Sequence, residues 1–205
     1  MKLLKPADTE LWAHFKHGDD EALTLIFTQN SKKMFLYGLK LTTNRSIIED
    51  TIQDLFCDLV KSRKKLGDTD NIQFYLIKSF KRRLQRELQK DKRYDLKDSE
   101  KDFVFEITYS IEHDIILEEK SNQKLKSLHF ALNDLSSRQK EAIYLKFTEG
   151  LDYGEIAEMM EMSIESCRNL ICRAIRSLKD SMQANGKHYM LLFFIHKLNF
   201  FKKNT

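Results

Sequence analysis

The sequence predicts an all-α protein built from two small helical domains joined by an acidic linker. Only one Pro and six Gly occur in 205 residues, and no alternating apolar–polar run predicts a strand. Apolar residues instead recur at three- and four-residue intervals, as on the buried face of a helix. Residues 60–93 carry 12 basic and 4 acidic groups, whereas residues 94–119 carry 2 and 9 and residues 120–205 carry 14 and 9. Two basic blocks on either side of an acidic stretch indicate two nucleic-acid-binding faces.

The composition argues against a secreted, membrane-spanning or zinc-binding protein. The three cysteines, Cys57, Cys167 and Cys172, are odd in number and lie on predicted helices, as reduced thiols of a cytosolic protein do. The six His have no zinc-site spacing. The N-terminal apolar run is too short for a signal peptide, and no run approaches the ~20 residues of a membrane span. We therefore expect a cytoplasmic protein that uses no metal and no cofactor.

The predicted N-terminal domain, residues 8–93, begins with two short helical segments. A helix over Glu10–His17 ends at Gly18, and Asp19 begins the next segment. Residues 19–41 then form either a helical hairpin or a single bent helix. The apolar residues expected to face the core are Leu11, Trp12, Phe15, Leu23, Ile26, Phe27, Met34, Phe35, Tyr37, Leu39 and Leu41.

The next predicted helix, Ile47–Lys65, begins at a cap on Asn44 or Ser46 and ends before Gly67. Its apolar stripe is Ile48, Ile52, Leu55, Phe56, Leu59 and Val60. A row of carboxylates follows another side of the helix at four-residue spacing: Asp50, Asp54 and Asp58. This row is a solvated face, a partner-binding face or a metal site of the kind found in helical-bundle enzymes. The metal site would also need His and a second acidic helix, which the sequence does not offer.

A fourth predicted helix, from a cap at Asp70 over Ile72 to about Lys92, interleaves aromatic with basic residues. Such a pattern suits single-stranded nucleic acid, because bases stack on rings while cations hold phosphates. The alternative is that its larger apolar residues are simply core, and most of Phe74, Ile77, Phe80 and Leu84 are expected there. The residues left to face outward are Tyr75, Lys78, Lys81, Arg82, Arg83 and Arg86.

Residues 94–114 lack a helical period and are predicted to be a flexible acidic linker. Helical periodicity returns in a second domain, residues 115–183, with the apolar positions Ile115, Ile116, Leu125, Leu128, Leu132 and Leu135. Ser136 or Ser137 then caps a helix that ends at Gly150. Its apolar residues are Ala142, Ile143, Leu145 and Phe147.

The second domain ends in two helices joined by a tight turn. Asp152 caps the first, Tyr153–Met160, and Glu155 completes a capping box around the apolar Ile156, Ala157 and Met160. Glu161 and Met162 form the turn. Ser163 caps a second helix with the apolar stripe Ile164, Cys167, Leu170, Ile171, Ala174, Ile175 and Leu178. The polar face comprises Ser163, Glu165, Ser166, Arg168, Asn169, Cys172, Arg173 and Arg176. This layout predicts a helix-turn-helix whose second helix enters the DNA major groove, although an ordinary helical hairpin with a solvated face has the same outline.

Three stretches resemble the bacterial RNA polymerase sigma factors of the extracytoplasmic-function group, over residues ~8 to ~180. Residues 48–60 read IEDTIQDLFCDLV and are similar to the acidic helix of the family's region 2. Residues 74–89 read FYLIKSFKRRLQRELQ and resemble the segment that opens and reads the −10 element. Residues 135–179 resemble region 4, whose second helix reads the −35 element.

The resemblance implies a sigma factor that binds core RNA polymerase and directs promoter recognition and opening, without covalent chemistry. It places polymerase binding on Glu49, Asp50, Gln53 and Asp54. It places −10 contacts on the outward residues of the fourth helix and −35 contacts on the polar face of the last helix. The acidic linker resembles the family segment that threads the polymerase interior. The implied partners are core RNA polymerase and promoter DNA, with an anti-sigma factor as a further partner and no small-molecule substrate.

The sequence departs from the family at two positions of the recognition helix. Leu170 stands where a second basic residue is usual, and Ile175 stands where Arg is common. Residues 184–205 form an apolar and basic tail outside the resemblance, which would lie on a membrane surface, bind an anti-sigma partner, pack on its own domain or stay disordered. Two rival functions remain: a stand-alone helix-turn-helix transcriptional regulator, and a nucleic-acid enzyme that uses the Asp50–Asp58 row with a metal.

Overall fold

The structure, a computed structural model, describes residues 7–94, 104–106 and 131–184. All regular elements within these ranges are helical, as the sequence predicts. The chain divides into two compact units, Met1–Phe103 and Val104–Thr205, so the division falls inside the predicted linker. In the described ranges, no helix combines the length and apolarity that crossing a membrane requires.

The N-terminal unit begins with helix α1, Asp8–His17, which ends at Gly18 in the left-handed conformation with φ +97°. The Gly18 N–H donates to the Phe15 carbonyl at 3.0 Å, which satisfies a free carbonyl of the last turn. Asp19 caps helix α2, Asp20–Gly38, by accepting from the backbone N–H groups of Glu21 and Ala22. Helix α2 is continuous, so the helical hairpin is excluded for residues 20–38.

Helix α3, Arg45–Ser62, is capped by Asn44, whose Oδ1 accepts from the Ile47 N–H at 3.3 Å. It ends in a 3₁₀ turn, Arg63–Lys65, where the sequence predicted continued α-helix. The opposite side of α3 from the carboxylate row is buried as predicted at Ile48, Ile52, Leu55, Phe56 and Leu59. Val60 is wrong as a core residue, because 36% of it is exposed beside the side chains of α2.

Helix α4, Ile72–Tyr94, does not begin at the predicted cap Asp70. Asn71 Oδ1 accepts from the Phe74 N–H at 3.0 Å, which is the hydrogen bond of an N-cap residue. Asp8 Oδ2 accepts from the Ile72 N–H at 2.8 Å. Asn71, rather than Asp70, is the cap because it directly precedes the first helical residue. These two bonds also tie the start of α4 to the start of α1.

The N-terminal core forms where α4 packs against α2 and α3. Fully buried side chains include Trp12, Ile26, Met34, Tyr37, Ile48, Leu76, Ile77, Phe80 and Leu84. Trp12 Nε1 donates to the Gly67 carbonyl at 2.8 Å, which satisfies the indole N–H beneath the surface. A Cβ at Gly38 would lie 2.9 Å from Ile48 and 3.1 Å from Phe80, so this crossing requires glycine. Of the predicted core residues of α2, Phe27 is 43% exposed instead.

The described residues of the C-terminal unit include helices α5, α6 and α7. Ser136 caps α5, Ser137–Tyr144, in a reciprocal capping box with Gln139. A single π turn, Leu145–Glu149, continues α5 and ends at Gly150 with φ +75°. Helices α6, Tyr153–Met159, and α7, Ile164–Ala184, follow and pack against each other, and α5 packs against α7.

Phe105, which the sequence placed in the flexible linker, is part of the core of the C-terminal unit. Only 1% of it is exposed. Its N–H donates to Ser137 Oγ at 2.6 Å, and its ring centroid lies 5.6 Å from that of Tyr144. The sequence did not predict this burial, because Phe105 lies in an acidic segment without a helical repeat of apolar residues. The predicted apolar positions Ile115, Ile116, Leu125 and Leu128 and the tail residues 185–205 lie outside the described residues.

Candidate nucleic-acid interface

The two-helix motif of the C-terminal unit is built on the caps that the sequence predicts. Asp152 Oδ1 accepts from the Glu155 N–H at 2.8 Å, and Glu155 Oε2 accepts from the Asp152 N–H at 2.7 Å. Ser163 Oγ accepts from the Ser166 N–H at 3.1 Å at the start of α7. Both helices of the motif therefore begin at fixed points.

The turn between α6 and α7 is stabilised by hydrogen bonds to residues outside the turn. Glu161 adopts a left-handed φ of +53°, which is uncommon for a residue with a side chain. The Met162 N–H donates to the Ala157 carbonyl at 3.0 Å, and Arg138 Nη2 donates to the Met160 carbonyl at 2.9 Å. Sequence reasoning missed Arg138, because nothing in its local pattern indicates a bond 22 residues away.

Helix α7 buries one narrow side. Cys167, Ile171, Ala174 and Leu178 are all 1% exposed or less, as predicted. The prediction that Ile164 is a core residue is wrong, because 49% of this residue is exposed at the first turn of α7. Leu170 and Ile175 are only half-buried. Burial raises the pKa of the Cys167 thiol, and nearby Lys146 opposes the shift, so this thiol is a packing residue rather than a reactive group.

The opposite side of α7 presents every residue that the sequence assigned to duplex recognition. The exposed set is Ser163, Glu165, Ser166, Arg168, Asn169, Cys172, Arg173 and Arg176. Arg and Asn side chains offer the paired donors and acceptors that match guanine and adenine edges in the major groove. We call these eight residues the recognition face.

A cation–π cluster lies beside the recognition face. Lys146 Nζ lies 4.4 Å from the centroid of the Tyr153 ring, and Arg168 Cζ lies 5.6 Å from the same centroid. Lys146 Nζ also donates to the Leu151 carbonyl at 3.0 Å. Sequence reasoning missed Lys146 and Tyr153, because their relation to Arg168 depends on the π turn and on the crossing of α6 and α7.

The aromatic–basic side of α4 is less open than the sequence suggests. Arg82 and Arg86 are exposed, and Lys81 is half-buried. Tyr75 is half-buried: its ring lies 5.1 Å from that of Trp12, and burial raises the pKa of its hydroxyl. Lys78 Nζ lies 5.6 Å from the centroid of the Phe74 ring, which is half-buried rather than core.

Arg83 faces helix α3. Its guanidinium forms an ion pair with Asp58 and lies 3.6 Å from an oxygen of Asp54. Two carboxylates of the Asp50–Asp58 row are thus paired with a cation of the same unit. Within the described residues, no three His, Cys, Asp or Glu side chains cluster closely enough to hold a metal ion.

The four residues assigned to polymerase binding, Glu49, Asp50, Gln53 and Asp54, are all exposed on α3. An open apolar groove of about 960 Å³ runs between α2 and α3, and Glu49 and Gln53 line it. Its apolar walls include Phe27 and Phe56, whose rings lie 4.9 Å apart, and Val60. We call this the α2–α3 groove. Apolar side chains exposed together beside polar ones are a feature of protein-binding surfaces.

The comparisons with known proteins agree with this architecture. Residues 125–178 match the protein family described as sigma-70, region 4. No curated protein matches the chain. The fold is similar to that of the sigma factor RpoE from Bartonella quintana, solved with the anti-sigma factor NepR, at 20% identity over 80% of this chain and 96% of that one, with a TM-score of 0.52. It is also similar to CnrH, solved with the cytosolic domain of CnrY, at 16% identity over 87% of this chain and 99% of that one, with a TM-score of 0.54.

The family match covers α5, α6 and most of α7, and the fold similarity extends over both units. The resemblance to sigma factors that the sequence indicates is therefore confirmed. Residues 125–178 match the sigma-70 region 4 family, and the chain has a fold similar to that of sigma factors of known structure.

Proposed function

We propose that the protein is a sigma factor, which binds core RNA polymerase and directs promoter recognition and opening in transcription initiation. The observation that carries the proposal is the recognition face, presented in full by a helix of the region 4 domain. Such a protein performs no covalent chemistry. It supplies binding energy that places and opens DNA, and it works in the cytoplasm with RNA polymerase.

The recognition face reads duplex DNA at the upstream promoter element in this proposal. Arg168 and Arg173 extend from the exposed side of α7, and Asn169 lies between them. An Arg that forms two hydrogen bonds to guanine contributes about 1–3 kcal/mol of base discrimination. Ser163 and Ser166 at the start of the helix are placed for phosphates or base edges.

Helix α4 holds strand-opened DNA at the downstream element. Lys81, Arg82 and Arg86 are the cations for the backbone, and half-buried Phe74 beside Lys78 is the ring for a base. Unstacking a base costs a few kcal/mol, which stacking on an aromatic ring offsets at about 1–3 kcal/mol per base. Tyr75 and Arg83 stabilise the helix in this proposal, because Tyr75 packs on Trp12 and Arg83 pairs with Asp58 of α3.

Polymerase binds the exposed face of α3 in this proposal. Glu49 and Gln53 border the α2–α3 groove, which adds apolar area to the polar contacts of Asp50 and Asp54. Apolar anchors with a charged rim are the usual anatomy of a protein interface. The similar RpoE structure contains an anti-sigma factor, so we include an anti-sigma factor among the partners of this protein.

Co-purification with core RNA polymerase, followed by run-off transcription from genomic DNA fragments, tests the proposal. We expect a stable complex and transcripts whose 5′ ends share an upstream sequence, and no such transcripts from core polymerase alone. A protein that binds duplex sites tightly but neither binds polymerase nor directs transcripts would instead be a stand-alone helix-turn-helix regulator.

A further inference from the structure

The first half of the recognition face contains a single cation. Between Ser163 and Cys172, Arg168 is the only Lys or Arg. The N-terminal part of a recognition helix is the part that contacts base edges in the major groove. The direction of one guanidinium therefore decides much of what this part of the helix reads.

The Arg168 side chain is long and exposed, so by itself it would sample many rotamers. The structure instead places its guanidinium over the Tyr153 ring, 5.6 Å from the centroid. A cation over the face of an aromatic ring is attracted by the ring's quadrupole. A contact that orders the side chain before binding lowers the entropy lost when DNA is bound.

The ring itself is held on a rigid base. Tyr153 is the first residue of α6 and follows Asp152, whose capping box with Glu155 fixes the start of the helix. Lys146 lies over the same ring at 4.4 Å and is tied to the Leu151 carbonyl. Tyr153 is half-buried, which limits the motion of its ring.

We propose that Tyr153 is a positioning residue for promoter recognition: its ring holds the Arg168 guanidinium in the orientation that contacts DNA. The inference rests on the proposed reading of duplex DNA by α7 and adds a residue of α6 to it. The ring face, and not the hydroxyl, performs this role. Replacement by an aliphatic side chain of similar size therefore removes the effect, whereas phenylalanine preserves it.

The test uses the full chain with core polymerase on a promoter duplex found by run-off transcription. We expect Tyr153→Leu to weaken specific binding about fivefold and Tyr153→Phe to leave it within about twofold. Tyr153→Leu should have no further effect in an Arg168→Ala background. In an Arg176→Ala background, which leaves the ring contact intact, it should keep its full effect. Thermal unfolding of each variant verifies the fold.

A second measurement examines the contact without DNA. In the ¹⁵N-labelled full chain, the Arg168 side-chain Nε–Hε signal should show a ring-current shift relative to Arg176, lost in Tyr153→Leu and retained in Tyr153→Phe. Equal promoter binding by the leucine and phenylalanine variants would overturn the inference and leave the proposed function standing. A wild-type chain that binds no promoter with polymerase would contradict the proposed function, and the positioning role would fall with it.

Discussion

Helices α4 and α7 both carry arginines on a predicted DNA-binding side, but they differ in how much of that side the fold leaves open. Helix α7 buries Cys167, Ile171, Ala174 and Leu178, at intervals of four, three and four, and exposes the whole recognition face. Helix α4 buries the adjacent pair Leu76 and Ile77 in addition to Ile72, Phe80 and Leu84. Its buried arc is wider because α2 and α3 both pack on it, while α1 contacts its first turns.

This difference explains why the apolar period of a sequence is sufficient to locate the functional face of some helices but not of others. A helix with a single narrow buried stripe leaves the opposite residues exposed, so its face follows from the sequence. In a helix at the centre of a unit, some polar side chains form contacts with neighbouring helices and are therefore not free to bind a partner. Arg83 is the example, because the neighbouring α3 supplies Asp54 and Asp58 as partners.

The largest expected effect comes from removing the two cations at the centre of the recognition face. Arg168→Ala with Arg173→Ala should lower promoter-specific transcription on the order of a thousandfold, since each paired contact is worth about 2 kcal/mol. Affinity for core polymerase should not change. Gel-shift and run-off assays with a titration of polymerase measure both quantities. Loss of polymerase binding in this variant would contradict the division between the two helices.

The next effect concerns the core of the C-terminal unit. Phe105→Ala should lower the free energy of unfolding of the C-terminal unit by about 3 kcal/mol, because it removes a buried aromatic side chain. Trp12, the single tryptophan, is buried in the N-terminal unit, so its fluorescence reports on that unit. Denaturant titration should shift the transition seen by circular dichroism but not the one seen by Trp12 fluorescence. An unchanged circular dichroism transition would show that Phe105 does not contribute to the core and belongs to the linker.

A smaller effect separates the arginines of α4. Arg82→Ala with Arg86→Ala should weaken binding of the polymerase complex to a strand-opened promoter about tenfold, through lost phosphate contacts. Arg83→Ala is the matched control and should change it less than twofold, because Arg83 already pairs with Asp58. Fluorescence anisotropy with a pre-melted duplex measures both. Equal losses in the two variants would show that Arg83 also reaches DNA.

The smallest effect compares a tyrosine from each unit at high pH. Burial, with Glu149 beside it, raises the pKa of Tyr144, and burial also raises the pKa of half-buried Tyr75. A raised pKa means that stability is complete below the ordinary tyrosine pKa of about 10 and falls as pH rises above it. At pH 11, Tyr144→Phe should recover on the order of 1 kcal/mol of the lost free energy of unfolding, and Tyr75→Phe should recover less. Denaturant titrations at pH 8 and pH 11 measure the difference, and an identical pH dependence in wild type and Tyr144→Phe would refute it.

The sequence was sufficient for the features that depend on nearby residues. The cap at Asp152, the helix start at Asp19 and the glycine stops at Gly18 and Gly150 are local signals, and the structure confirms them. Of the paired alternatives Asn44 or Ser46 and Ser136 or Ser137, the structure selects Asn44 and Ser136. The recognition face followed from the period of α7. The continuity of α2 could not be decided, because its apolar residues fit both a hairpin and a single helix.

The features that the sequence missed depend on contacts between distant residues. Phe105 has no local pattern, and its burial comes from packing against Tyr144. Arg138 bonds the turn of the two-helix motif from another helix. Val60 and Phe27 fit an apolar period, yet they line the α2–α3 groove because no described element covers that side of α2 and α3.

Permanganate footprinting of a promoter duplex tests the central claim most directly, because it reports strand opening at single thymines. With core polymerase and the chain together, we predict reactive thymines at the downstream element, and none with either component alone. The Arg168→Ala, Arg173→Ala variant should abolish this reactivity on the duplex and retain it on a pre-melted template. Protection of a duplex site by the chain alone, with no opening when polymerase is added, would contradict the account.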